Sequence, residues 1–314
     1  MKLGYYSYCI KNRSDQLYQT SIKQLLTNFC SITDKDFTKS FEYAGDKIFL
    51  IRVNPNIFLF ALTRDDELIK AINQSSLQVD DIYARLNDDE KLGFGSYIYI
   101  DNRCFYGLAS TMKGPKNKIW NDFVNMVLAR LGLNSYQFIS FPIYQTATPD
   151  EVEDLEFIGN TIFELTPEHR KWKDLLKGLS DVFTPDEFNF ARSITVNIKP
   201  EPRQSLQVES FKKINTQITE SLDGLEKYIV KGKSDLEDNL TEFFIVQKGH
   251  LSDPIRNTAE VEIYREIQRR IEENDLLSLK LTELNNQQLY EDQDNEDIIR
   301  FNSLDTFRNT ILGT

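Results

Sequence analysis

Three lysines recur at even spacing in the segment Lys227-Tyr228-Ile229-Val230-Lys231-Gly232-Lys233. In a β-strand, side chains two and four residues apart project from the same face. If the segment is a strand, Lys227, Lys231 and Lys233 therefore share one face, and their ammonium groups could follow a phosphate backbone. An ordinary solvated surface has the same pattern, and the spacing alone leaves both interpretations open.

Two further groups of basic residues could contact phosphates. Lys113, Lys116 and Lys118 fall on one loop at the predicted start of a helix, and residues 169–173 read His-Arg-Lys-Trp-Lys. Each group is also typical of a solvated surface, so neither is evidence of a binding site by itself.

Acidic and histidine residues offer weaker candidates for chemistry. Residues 65–67 and 88–90 both read Asp-Asp-Glu, which could supply the metal ligands of a nuclease. Both runs fall at predicted helix starts or turns, where the helix dipole already favours carboxylates. His250, in Lys248-Gly249-His250, could act as a general base, but we favour a loop closed by Gly249. Phosphate-binding glycine motifs and the G-x-S-x-G elbow are absent, so we expect no catalytic residues.

The cysteine content argues against a metal centre. Cys9, Cys30 and Cys104 lie far apart in the sequence, no C-x-x-C motif occurs, and the chain has only two histidines. A zinc or iron–sulfur site needs clustered ligands. We therefore predict reduced structural thiols, no metal and no cofactor.

The net charge of −12 lowers the expectation of a nucleic-acid partner, but it is unevenly distributed. Residues 1–150 hold 17 basic and 16 acidic residues, whereas residues 261–314 hold 6 and 12. A binding surface needs only a local excess of positive charge. The sequence has neither a signal peptide nor an apolar run of about 20 residues, so we expect a cytoplasmic protein.

The elements that position these residues alternate between strands and helices. Before Pro149, short connections predict a mixed, mostly antiparallel sheet with helices at 21–29, 65–72 and 118–131. After it, strands are predicted at 156–165, 193–199, 228–230 and 240–246, followed by one long polar helix at 258–284. The acidic tail after Asn286 is predicted to be weakly ordered or an interaction segment.

Several motifs, in order along most of the chain to about residue 270, resemble the RexA exclusion proteins of temperate phages. The chain opens with Met1-Lys2-x-Gly4-Tyr5-Tyr6, and Leu92-Gly93-Phe94-x-Ser96 and Phe157-Ile158-Gly159-x-Thr161 follow. The strongest match is Leu240-Thr241-Glu242 with Lys248-Gly249-His250-Leu251-Ser252-x-Pro254.

The resemblance implies an α+β fold similar to that of the recombination-associated protein RdgC. It implies a globular domain of residues 1–150 and 251–314, closed by a C-terminal helix, and a smaller mobile domain of residues 151–250. It also implies a homodimer that contacts the sugar–phosphate backbone of double-stranded DNA. The homodimer would be coupled to a membrane protein, RexB. Lys231 and Lys233 fall at or beside basic positions of the family, so they are the first candidates for contact with DNA. Lys227 and the loop lysines come second.

Three hypotheses follow from the residues and the resemblance together. The first is a non-enzymatic, homodimeric protein of phage exclusion, or abortive infection, that binds duplex DNA without strong sequence preference. The second is an interaction module of a defence or toxin–antitoxin system, in which the acidic tail recruits a protein effector. The third is a metal-dependent nuclease toxin.

Overall fold

A computed structural model describes residues 1–32, 40–63, 70–72, 79–81, 93–111, 113–166, 192–201, 204–219, 225–233, 236, 240–246, 248–255, 260–286, 290 and 294–313. The chain forms two compact units. Unit 1 comprises Met1–Ile143 and Ile255–Thr314, and unit 2 comprises Tyr144–Pro254. Helices pack with antiparallel sheets, which confirms the predicted α+β class.

The strands are mostly short. In chain order they are β1 (Lys2–Asn12), β2 (Leu17–Tyr18), β3 (Ser40–Tyr43), β4 (Asp46–Arg52), β5 (Ile57–Thr63), β6 (Lys70–Ile72), β7 (Val79–Asp81), β8 (Gly93–Ile100), β9 (Phe105–Ser110), β10 (Tyr136–Pro142), β11 (Tyr144–Gln145), β12 (Phe157–Leu165), β13 (Ile194–Ile198), β14 (Leu225–Lys233), β15 (Thr241–Phe244), β16 (Gly249–His250) and β17 (Ser252–Pro254).

The helices of the described residues concentrate in the second half of the chain. They are α1 (Lys23–Ser31), α2 (Asn117–Arg130), α3 (Pro149–Glu153), α4 (Val208–Thr219), α5 (Glu260–Glu272), α6 (Asp275–Asn286), α7 (Glu296–Ile299), a 3-10 turn (Arg300–Asn302) and α8 (Leu304–Leu312).

The main sheet of unit 1 has helices on both faces. Its strands follow the order β10-β1-β9-β8-β5-β4-β3, and every pair is antiparallel. Tyr8 of β1 belongs to the core formed with α1 and α2, whereas Leu3 is buried on the opposite face. On that opposite face, Tyr264 of α5 meets Tyr97 of β8 edge to face, with ring centroids 5.3 Å apart. Burial of both faces explains why β1 is apolar along almost its whole length.

Helix α2 lies where the amphipathic pattern predicts it. Trp120, Phe123 and Val127 recur at helical spacing and are fully buried against the sheet. The helix is followed by Gly132 at φ +76°, and the amide of Leu133 donates to the carbonyl of Leu128. This left-handed glycine cap stops the helix without the steric cost that a side chain would bring.

The C-terminal segment corrects one prediction. Ile298, Phe301 and Phe307 are at most 1% exposed and belong to the core of unit 1. The side-chain amide of Asn28, on α1, donates to the carbonyl oxygens of Phe301 at 2.9 Å and Asn302 at 3.1 Å. The prediction of a weakly ordered tail is therefore wrong for residues 294–313, because three buried apolar side chains hold the segment to the sheet.

Two predicted helices also differ from the structure. The helix predicted at 258–284 is divided into α5 and α6, because the side chain of Asn274 caps α6 by accepting from the amide of Leu277 at 2.7 Å. Of the helix predicted at 65–72, the described part, Lys70–Ile72, is a strand that pairs with β7.

Unit 2 is built on a four-stranded antiparallel sheet in the order β13-β12-β14-β15, as the sequence pattern predicts for these four segments. One face packs against α3 and α4; its buried residues are Val152, Leu155, Ile158, Phe163, Leu165, Phe211, Leu225, Tyr228 and Val230. The buried hydroxyl of Tyr228 donates to Asn215 at 2.7 Å, and the amide of Asn215 donates to Glu153 at 2.6 Å. These bonds fix α4 to the sheet and to α3.

Candidate nucleic-acid interface

Strand β14 presents its lysines on one face. Tyr228 and Val230 are fully buried in the core of unit 2, whereas Lys227, Lys231 and Lys233 are half-buried on the opposite side of the strand. The structure confirms the strand, and with it the prediction that the three lysines share a face.

Carboxylates accompany two of these lysines. Lys231 lies directly opposite Glu242 of β15, with Nζ and Oε1 2.5 Å apart. Lys227 lies directly opposite Glu164 of β12, whose carboxylate accepts a hydrogen bond from Ser193 at 2.6 Å. The positive field of the face is therefore partly neutralised, and a phosphate would compete with Glu242 for Lys231.

Lys233 occupies the end of the same strand beside an aromatic ring. Its Nζ donates to the carbonyl oxygen of Leu236 at 2.8 Å and lies 5.9 Å from the ring centroid of Phe157, which is opposite it on β12. An ammonium group has three donors. One bond to a carbonyl therefore leaves donors for an anion, while the bond and the ring hold the side chain in place.

Amide side chains extend the polar face beyond the lysines. A bulge between Ile158 and Asn160 shifts the register of β12 so that Asn160 lies opposite Lys231. The side-chain amide of Asn160 donates to Asn197 of β13 at 3.2 Å, and Asn197 is exposed. Asparagine donors of this kind commonly contact phosphate and sugar oxygens. Sequence reasoning missed both residues. The bulge that aligns Asn160 with Lys231 leaves no period-2 signal, and Asn197 joins this face only through the pairing of β13 with β12.

The loop lysines lie in unit 1, immediately before and within the first turn of α2. Lys113, Lys116 and Lys118 are exposed, while the intervening Gly114 and Pro115 are buried. A Cβ at Gly114 would lie 2.6 Å from the carbonyl oxygen of Gly95, so the loop requires glycine at this position. The structure places Lys113 and Lys116 on the loop and Lys118 in the first turn of α2, so the prediction of one loop holds for two of the three lysines.

Internal contacts reduce the availability of these loop lysines. Lys116 Nζ donates to Ser110 Oγ at 3.0 Å and to the carbonyl oxygen of Thr111, and partial burial lowers the pKa of its ammonium group. Lys113 Nζ lies 5.4 Å from the ring centroid of Phe94. No acidic residue occupies the first turn of α2, so no carboxylate side chain competes there with an anion.

The Lys248-Gly249-His250 motif has a structural role. Gly249 and His250 form the short strand β16, which pairs with β11, and Leu251 is buried. A Cβ at Gly249 would lie 1.9 Å from Phe244 Cδ2, which only glycine avoids. The motif is therefore a tight packing site beside the end of β15.

Several sequence candidates fall outside the described residues: the acidic runs at 65–67 and 88–90, and the basic run at 169–173. Among the residues that the structure describes, no group of three or more histidine, cysteine or acidic side chains is arranged to hold a metal ion. None of the described helices is long and apolar enough to cross a membrane.

The three cysteines are free thiols, as predicted. Burial raises the pKa of Cys9 to about 11 and that of Cys104 to about 12, so both remain protonated at neutral pH. A protonated thiol is a poor nucleophile and a poor metal ligand.

Comparison with known proteins explains the motif pattern. The family model for RexA, described as an intracellular sensor of lambda phage and an Abi component, matches residues 1–240. This chain belongs to the RexA family. The RexA proteins of Escherichia phage lambda and Enterobacteria phage 434 are each 27% identical to it over 271 residues, which cover 85% of this chain and 91% of each relative. Membership of the RexA family supports a role in phage exclusion, and the matched region contains all six candidate lysines.

Proposed function

We propose that this protein is a non-enzymatic, sequence-tolerant binder of double-stranded DNA that acts as a homodimer in phage exclusion. The observation that carries the proposal is the solvent-accessible face of β14 with Lys227, Lys231 and Lys233, in a chain that belongs to the RexA family. Lys231 and Lys233 are neighbours on this face, and Lys227 follows beyond the buried Ile229. Lysines at such strand spacing suit a phosphate backbone, which repeats a negative charge along its length.

We expect the lysines to contact phosphates rather than bases. A lysine ammonium group is a compact point charge, and half to two-thirds of protein–DNA hydrogen bonds go to phosphate and sugar. Asn160 and Asn197 add neutral donors of the same kind. Binding through these groups carries no direct base readout, so we expect unrelated duplexes to bind with similar affinity.

The charge of the chain sets how strong such binding is. The net charge is −12, and Glu242 already pairs with Lys231. DNA must therefore displace a carboxylate and approach an acidic protein, so we expect modest affinity that falls steeply with salt.

The family resemblance supplies the remaining parts of the proposal. We expect an RdgC-like arrangement in which unit 2 moves relative to unit 1, two copies surround the duplex, and a RexB-like membrane protein is the effector. Sedimentation equilibrium tests the homodimer directly, because a monomer at all protein concentrations up to about 100 µM would contradict it. Incubation of DNA with the protein and Mg²⁺ or Mn²⁺ tests the non-enzymatic assignment, which cleavage would contradict.

The decisive experiment measures fluorescence anisotropy of two unrelated duplexes of about 40 base pairs, at several salt concentrations and without metal. The wild type and the Lys231→Gln/Lys233→Gln variant are compared, and we expect the variant to bind both duplexes more weakly. Its slope of log K against log salt should be shallower by about 2, because each phosphate contact contributes about 0.9. Glutamine is chosen over glutamate, since a second carboxylate at 231 would face Glu242.

Lys280→Gln is the matched control. Lys280 Nζ forms an ion pair with Glu283 at 2.8 Å on α6, which resembles the Lys231–Glu242 pair but lies in unit 1, away from β14 in sequence. The control should bind DNA as the wild type does. Wild-type affinity in the double variant would refute the β14 site, and absence of binding at low salt would refute the DNA-binding function and favour recruitment of a protein effector.

A further inference from the structure

Unit 2 contains a small cavity on the face of its sheet opposite to the lysines. Its volume is about 130 Å³, and it lies between α4 and strands β12 and β13. It is lined by Thr161, Ile198, Leu206, Gln207, Ser210 and Phe211. None of these side chains is charged, and almost all of the cavity wall is apolar.

Thr161, one of the lining residues, carries an unusual hydroxyl group. Thr161 is 1% exposed, and its Oγ1 makes no hydrogen bond with any described residue. Buried hydroxyl groups nearly always have a partner, because an unpaired one loses its hydrogen bonds to water and gains none. Valine has the same shape and would fill this position without that loss, as Val230 does directly opposite on β14.

The cavity is partly open to solvent, and two of its lining residues are exposed. Gln207 and Ser210 are exposed at the start of α4, and Ser210 Oγ donates to Gln207 Oε1 at 3.3 Å. One turn beyond the cavity, Asn215 ties α4 to Glu153 and Tyr228. A small molecule could therefore enter past Gln207 and Ser210 without detaching the helix from the sheet.

We propose that this cavity binds a small, neutral, mainly apolar molecule with a single hydroxyl or amide group that pairs with Thr161 Oγ1. The size follows from the volume, because a protein cavity of about 150 Å³ lined by leucine, isoleucine and phenylalanine accepts benzene. The neutrality follows from the wall, since a charged ligand would lose its hydration and meet no counter-charge. This inference does not rest on the proposed DNA binding.

Phenol and benzene are the probes, because they share a shape and differ by one hydroxyl. Binding is measured on the full-length protein by titration with ¹³C-methyl NMR, with the methyl groups of Ile198 as reporters. We expect both probes to shift these signals in a saturable way, and phenol to bind roughly tenfold more tightly than benzene, in proportion to one net hydrogen bond.

The Thr161→Val variant separates the hydroxyl from the shape of the cavity. It should bind phenol and benzene equally, with phenol affinity reduced about tenfold and benzene affinity retained. Its melting temperature should equal or exceed that of the wild type, because the variant removes a buried unpaired hydroxyl. Ser210→Ala, at the mouth, is the control and should keep the preference for phenol.

Three results would overturn the proposal. The first is the absence of saturable shifts with either probe in the wild type. The second is unchanged phenol affinity in Thr161→Val. The third is a lower melting temperature of Thr161→Val, since that would show that the hydroxyl already has a stabilising partner within the folded chain.

Discussion

Lys231 and Glu242 lie directly opposite each other on β14 and β15, and their Nζ and Oε1 atoms are 2.5 Å apart. Both side chains are about one-third exposed. An ion pair with this exposure stabilises the fold by about 0–1 kcal/mol. Under the proposed function its larger effect would be on DNA binding, because the carboxylate beside Lys231 competes with any phosphate that approaches this lysine.

Removal of that carboxylate should strengthen DNA binding. We expect Glu242→Gln to raise the affinity for unrelated duplexes about tenfold at low salt, because Lys231 becomes available and one negative charge is lost. Fluorescence anisotropy over a salt series measures the change. Glu283→Gln, which removes the partner of Lys280 on α6, is the matched control and should leave the affinity within about twofold of the wild type. An affinity of Glu242→Gln that also stays within about twofold of the wild type would mean that the face does not contact DNA.

The C-terminal helices should contribute to the stability of unit 1. Phe301 is 1% exposed in the core, so Phe301→Ala should lower the free energy of unfolding by about 3–5 kcal/mol. Leu304, three residues further on, is 46% exposed. Leu304→Ala should therefore change the free energy of unfolding by less than about 0.5 kcal/mol. Urea denaturation followed by circular dichroism measures both values, and equal stabilities would contradict the packing of this segment.

The buried C-terminus also changes how the effector-recruitment hypothesis must be tested. Deletion of residues 286–314 would remove Ile298, Phe301 and Phe307 from the core and unfold unit 1, whatever the segment binds. Exposed charges such as Glu296 and Asp305 can be neutralised without that effect. Loss of a partner from Glu296→Gln/Asp305→Asn, with the melting temperature retained, would support recruitment through this surface.

Gly249 should tolerate no side chain. A Cβ there would lie 1.9 Å from Phe244 Cδ2, so we expect Gly249→Ala to destabilise unit 2 by about 1–3 kcal/mol through overpacking. Gly249→Ala/Phe244→Leu should recover part of the loss, since leucine lacks the ring that the new methyl group meets. Thermal denaturation of the four proteins of this cycle measures the coupling, and strict additivity would exclude the contact.

The buried thiols should make the protein less stable in alkali. An unfolded cysteine has a pKa of about 8.5, whereas the pKa of Cys9 in the folded chain is about 11. The unfolded state therefore loses this proton first, and the free energy of unfolding should fall as the pH rises from about 8.5 to about 11. Over that range the slope should be shallower in Cys9→Ala. An unchanged slope, measured by urea denaturation at several pH values, would contradict a buried thiol at this position.

Sequence reasoning predicted most of the sheets and part of the candidate site. Period-2 alternation was sufficient to place Lys227, Lys231 and Lys233 on one face, because the residues between Lys227 and Lys231 include the core residues Tyr228 and Val230. Helical spacing likewise located α2 through Trp120 and Phe123.

What the sequence could not predict depends on contacts between distant residues. Glu242 becomes the partner of Lys231 only through the register of β14 with β15, and Asn160 aligns with Lys231 only because of a bulge. The helices after residue 294 were missed because the tail was classified by its acidic, Gln- and Asn-rich composition, although apolar residues outnumber acidic ones there and Phe301 and Phe307 are buried. The break between α5 and α6 could have been predicted, because Asn274 is a helix-capping residue within the helix predicted at 258–284.

Unit 1 is assembled from two stretches of chain, Met1–Ile143 and Ile255–Thr314, with all of unit 2 between them. The first stretch leaves the ribosome without Phe301 and Phe307, which belong to its core. At about 5–20 residues per second, the remaining chain takes roughly 10–35 s to synthesise. During that time unit 2, which is continuous, can fold alone, while the main sheet carries uncovered apolar surface. Because of the order of translation, we expect the protein to need chaperones most during this interval, when the first stretch has been synthesised and the second has not.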